Sequence, residues 1–138
     1  MKLLPSVILL AATLPAAAAP FDVTGGWFRR LPGKLPAAGY FTAQNNTRRD
    51  IAITDVSTGA CGMLMMHRSS NKGGMSGMDM VNAVTVPAGG TVAFAPGGYH
   101  LMCDDPKMKP GARVPVSLSL SNGSTVVTAF AVRSASGK

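Results

Sequence analysis

From Pro20 onward the apolar positions fall in short, β-prone runs, spaced at fairly even intervals and separated by Gly, Pro, Asn and Ser. This pattern predicts strands over residues 21–29, 39–45, 50–56, 63–67, 78–86, 91–95, 99–102, 113–120 and 125–132. Asn45-Asn46, Pro87-Ala88-Gly89-Gly90, Pro96-Gly97-Gly98 and Ser121-Asn122-Gly123 supply the turn chemistry between them. No window in this stretch carries a sustained helical stripe with caps. Short strands with a turn signal about every ten residues point to a single all-β domain, a sandwich or barrel. Residues 30–36 and 69–77 are expected to be irregular, and the polar tail 134–138 to be frayed.

The first residues follow a different pattern. Lys2 precedes an apolar stretch from Leu3 to Leu14, and Ala16-Ala17-Ala18-Ala19 follow. This reads as a secretory leader over residues 1–18, cut after Ala18 because Pro20 disfavours a cut one residue later. The mature β domain is then 19–138, placed in the periplasm. No cysteine follows the apolar run, so a lipid anchor is not expected, and no run is long enough for stable membrane insertion.

Composition narrows the class. Only 14% of the 138 residues are charged, against about 25% in an average soluble protein. Losing Lys2 with the leader takes the formal net charge from +7 to +6. Arg29-Arg30, Arg48-Arg49, Lys107 and Lys109 are candidates for steering toward an acidic partner, the plainer reading being a solvated face. Few aromatics and an exported chain argue against nucleic acid. Asn45-Asn46-Thr47 and Asn122-Gly123-Ser124 fit a glycosylation pattern but are more simply turns. In an oxidising compartment Cys61 and Cys103 are expected to form a disulfide, a buried free thiol being the alternative.

Methionine and histidine carry the chemistry. Of nine methionines, seven lie between Met63 and Met102. Core filling is an ordinary use of methionine and suits Met63 or Met65. It does not account for Met75, Met78 and Met80, which stand among Ser, Gly, Lys and Asp. Both histidines have a methionine two positions away, His67 with Met65 and His100 with Met102, so a strand would turn each pair to one face. Cys103, next to Met102, would point the other way. Thioether and imidazole are suited to Cu(I). Zinc and iron–sulfur sites need more cysteine, and hard cations need carboxylate clusters in a chain that has no glutamate. Neither a nucleophile triad nor paired carboxylates cluster about the histidines, so an enzyme is not expected.

Ten residues separate His67 from Met78, twenty-one separate Met78 from His100, and one separates His100 from Met102. This H-x10-M-x21-H-x-M spacing resembles that of the periplasmic copper chaperones of the PCu(A)C type. Trp27-Phe28-Arg29, the stretch 37–45, Pro96-Gly97-Gly98-Tyr99-His100-Leu101-Met102 and Val114-Pro115-Val116 resemble further segments of the family. The resemblance implies a cupredoxin-like Greek-key β-sandwich or barrel. It implies one Cu(I) on His67, Met78, His100 and Met102, and delivery to the copper-bearing subunit of cytochrome c oxidase or another periplasmic copper protein. A monomer is expected. Two features depart from the family: Arg68-Ser69-Ser70 follows His67 where many members have methionine, and the C-terminal tail lacks the His and Met of a second copper site. Met63, Met65, Met75 and Met80 are candidates for extra copper. Copper buffering and blue-copper electron transfer are the competing functions.

Overall fold

The computed structural model describes residues 1–12 and 19–138. The expected cleavage region, Ala16 to Ala18, lies outside the described residues. Residues 1–12 are exposed and have no regular structure, and among the described residues no helix is long and apolar enough to cross a membrane.

Ten strands form among the described residues: β1 Phe21–Arg29, β2 Ala37–Asn45, β3 Ile51–Ser57, β4 Cys61–Lys72, β5 Met75–Met80, β6 Val84–Val86, β7 Thr91–Phe94, β8 Tyr99–Pro106, β9 Arg113–Leu120 and β10 Thr125–Arg133. Strand β9 shows the cause most plainly: Val114, Val116, Leu118 and Leu120 are buried while the residues between them face outward. The strands pair in the order β5-β4-β8-β2-β1-β10-β9-β3-β6, and β7 also pairs with β2. β1 and β10 run parallel and the other pairs are antiparallel. The rolled sheet closes over Phe28, Phe41, Phe94, Phe130, Leu101 and Leu118. The rings of Phe41 and Phe94 stack with centroids 4.2 Å apart, and Phe28 meets Phe130 at 5.3 Å.

Three local expectations are corrected. Residues 69–77 are not irregular: Gly73 and Gly74 have φ of 61° and 80°, the left-handed pair that a two-residue hairpin turn needs, so β4 and β5 run as a tight hairpin. The single strand expected over 78–86 is two strands, because the chain leaves β4 after Met80 and joins β3 at Val84. The tail is not frayed, since the Ser134 amide donates to the Lys138 carbonyl at 2.7 Å.

Both glycosylation-like triplets are turns. Asn45 is fully buried; its amide donates to the carbonyls of Arg49 and Val86, and its oxygen accepts from Thr47. Asn122 accepts from the Ser124 amide and hydroxyl. Cys61 and Cys103 are joined by a disulfide with Cα atoms 5.5 Å apart. It staples the start of β4 to β8 on the core side of the sheet, where Cys103 is fully buried.

Candidate metal centre

Strands β4 and β8 form the floor of the site. Their register sets Met65 opposite Met102 and His67 opposite His100. On the outer edge, β5 sets Met80 opposite His67 and Met78 opposite Ser69. Directly paired residues share a face, as do residues two apart on a strand. One surface of the three strands therefore collects Met65, His67, Met78, Met80, His100 and Met102. The intervening Met66, Leu101 and Cys103 are buried in the core.

The two imidazoles meet edge to face, with centroids 5.7 Å apart and planes at 72°. His100 is only 5% exposed, and its Nδ1 lies 3.3 Å from the Gly98 carbonyl. A carbonyl only accepts, so Nδ1 carries the proton and donates; Nε2 is left with a free lone pair. Among the described residues, that Nε2 and both ring nitrogens of His67 are buried with no hydrogen-bond partner. A buried polar atom left unpaired costs about 1–3 kcal/mol, and such atoms are rare in folded proteins. Three of them lie on two facing rings, an arrangement that suits a pair of metal-ligating imidazoles.

Burial lowers the pKa of His67 below its ordinary value; neighbouring His100 pushes the same way, and Asp104 partly opposes them. The shift favours the neutral imidazole, the form that ligates metal.

Met78, His100 and Met102 line one cleft of about 400 Å³, walled by Pro36, Ala38 and Tyr40. Met78 stands at its rim on an edge strand and is 58% exposed, whereas His100 is at its floor. The four motif residues thus occupy one face, three of them in one cleft, with His67 paired directly to His100. Two imidazole nitrogens and two thioethers make a neutral, soft donor set that suits Cu(I). Among the described residues no three of His, Cys, Asp and Glu cluster as a zinc or hard-cation site would require. No free cysteine is present among them either.

The core-filling role expected for Met63 or Met65 belongs instead to Met66 and Met108, which are 4% and 5% exposed. Met63 is exposed and Met65 half-buried, both on the outer side of β4. Sequence spacing pairs Met65 with His67 and Met102 with His100 but gives no cross-strand register, so the direct opposition of Met80 to His67 and of Met65 to Met102 was not legible. Beside the cleft, Trp27 packs on Tyr40 at 5.1 Å, and the guanidinium groups of Arg29 and Arg133 lie 5.2 and 4.9 Å from the Trp27 ring. Arg30, a candidate for steering, is instead tied down: it donates to the carbonyls of Met108, Leu31 and Gly33.

Comparison with known proteins gives the relatives of this fold. The chain is similar to the copper-bound PCuAC domain from PmoF2, with 22% identity, a TM-score of 0.70, and coverage of 86% of this chain and 97% of that one. It is similar to the CuI form of DR1885 from Deinococcus radiodurans, with 30% identity and a TM-score of 0.69 over 86% of this chain and 81% of that one. The fold is therefore the cupredoxin-like fold of PCuAC domains. A relative in Leifsonia xyli subsp. xyli, described as "Putative lipoprotein Lxx21020", is 31% identical over 120 residues, covering 84% of this chain and 71% of the relative. The model of the LpqE-like family, lipoproteins by its description, matches residues 21–132, nearly the whole β domain, and the chain belongs to the LpqE-like family.

Proposed function

We propose that this protein is an exported Cu(I) chaperone of the periplasm. It binds one Cu(I) through His67, Met78, His100 and Met102 and passes it on by ligand exchange, without catalytic turnover. The observation that carries this reading is the trio of unpartnered imidazole nitrogens beside the thioethers of Met78 and Met102. Solved relatives described as copper-bound support it. All four donors ligate in their neutral forms, and thioethers stay available where thiols oxidise. The exposed Met78 arm can be displaced by an incoming ligand while His100 still holds the metal.

The acceptor proposed is the copper-bearing subunit of cytochrome c oxidase or another periplasmic copper protein. Anaerobic mixing of the Cu(I)-loaded protein with the soluble, metal-free domain of that subunit tests delivery. Copper should appear in the acceptor fraction after separation, and a transfer no faster than from free chelator would contradict it. Blue-copper electron transfer is disfavoured because it needs a cysteine thiolate, and Cys61 and Cys103 are bonded to each other. Copper buffering is the second reading; exposed Met63, Met75 and Met80 favour it, and more than one tightly held copper per chain would establish it.

A further inference from the structure

The sheet carries more soft donors than one Cu(I) uses. Met65 and Met80 both border a separate depression of about 150 Å³ in which Thr54 and Asn82 also take part. Met78, His100 and Met102 line the other cleft. His67 stands between the two groups in register: Met80 is its partner on β5, His100 is its partner on β8, and Met65 is two residues away on its own strand. Direct cross-strand neighbours have Cβ atoms about 5 Å apart, within reach of a methionine side chain. Packing does not explain Met80, which is 62% exposed, and the core already takes its methionine from Met66 and Met108.

The two imidazoles are also held differently. His100 is tethered through Nδ1 to Gly98, whereas neither nitrogen of His67 has a partner. The ring of His67 is therefore free to offer a lone pair toward either group of thioethers.

We infer that Met65 and Met80 form a second, weaker Cu(I) station that shares His67 with the principal site and is the route by which copper leaves. This rests on the Cu(I) reading above. In the move the bond to His67 is kept, bonds to the sulfurs of Met65 and Met80 form, and those to His100, Met78 and Met102 break. The metal stays Cu(I): one set of lone-pair donors replaces another, and no electron is transferred. The tethered histidine anchors the resting metal, and the untethered one carries it toward the edge strand, where an acceptor can reach.

The test uses the full mature protein and the double variant Met65→Leu/Met80→Leu, which keeps apolar bulk and removes sulfur. Cu(I) is titrated anaerobically against chromophoric chelators of graded strength, and release to a strong chelator is followed in time. The methionine methyl resonances are recorded at each step. The wild type should hold one tight equivalent, and loading it should move the Met65 and Met80 methyls as well as those of Met78 and Met102, because the one metal exchanges between the two stations. The variant should keep the tight equivalent and release copper about tenfold more slowly. A tight equivalent that leaves the Met65 and Met80 methyls unmoved, with equal release rates in both proteins, would overturn the second station while leaving the principal site standing. No tight equivalent in the wild type would overturn both.

Discussion

His67 and His100 face each other across the β4–β8 pair with ring centroids 5.7 Å apart, and three of their four ring nitrogens have no partner. Among the described residues the Arg29 Nε is the other buried side-chain nitrogen without a partner, and it packs over the Trp27 ring beside the cleft. Sheet register brings the rings together, the Gly98 carbonyl sets the tautomer of His100, and burial lowers the pKa of His67. Each of these has a measurable consequence.

The unpaired imidazole of His67 is a cost to the metal-free protein. Replacing it with an apolar side chain of similar size removes that cost, so His67→Leu should raise the stability of the metal-free protein by about 1 kcal/mol. The same variant should bind Cu(I) more weakly. Thermal melts without copper and chelator competition with it are the two readouts. A metal-free variant less stable than wild type would mean that the ring is satisfied in solution.

The lowered pKa of His67 links stability to pH. The unfolded chain takes up this proton near the ordinary value of about 6.5, while the folded protein resists it until lower pH. The contribution of this group is thus present above about pH 6.5 and is lost as pH falls through the lower folded pKa. An NMR titration of the metal-free protein should give His67 a midpoint below the ordinary value, and Asp104→Asn should lower it further. A midpoint above the ordinary value would contradict burial as the dominant cause.

The disulfide spans 42 residues of sequence, and a loop of that size stabilises by about 4 kcal/mol in the chain-entropy model. Urea unfolding of Cys61→Ala/Cys103→Ala should show a loss of about 2–4 kcal/mol. A midpoint equal to that of wild type would show that the β4–β8 pairing holds without its staple.

Gly39 lies on β2 beside the strand that carries His100. A Cβ there would stand 2.7 Å from the Phe28 ring and 3.0 Å from the Leu101 Cβ. Gly39→Ala should therefore cost about 1–3 kcal/mol through overpacking. Gly59→Ala, with open space around the new methyl, should stay within about 0.5 kcal/mol of wild type. Equal denaturation midpoints for the two variants would contradict the packing described for Phe28.

Much of the fold is written in alternation. β9 follows its sequence pattern end to end, because it buries one face against the aromatic and aliphatic core, whereas β1 keeps its expected bounds but shifts register between Thr24 and Trp27. The β4–β5 hairpin is the failure. Its outer strand is exposed at every position, so it has no apolar alternation to read, and only Gly73-Gly74 marks the turn. The site shows the same division. The His-x-Met spacing marks the donor types, and the resemblance to copper chaperones marks which four to group. What faces what is decided by register, which alternation along one strand does not encode. Hence Met80 opposite His67, and the opposite fates of neighbouring Met65 and Met66, emerge only from the paired strands.

The most direct measurement is an anaerobic Cu(I) competition titration of the mature protein beside His100→Ala/Met102→Ala. The site described here predicts one tightly held Cu(I) per chain in the wild type, lost in the double variant while the β-sheet circular dichroism is unchanged. Weak binding that is the same in both proteins would contradict it: the methionines would then be surface packing, and the chain would not be a copper carrier.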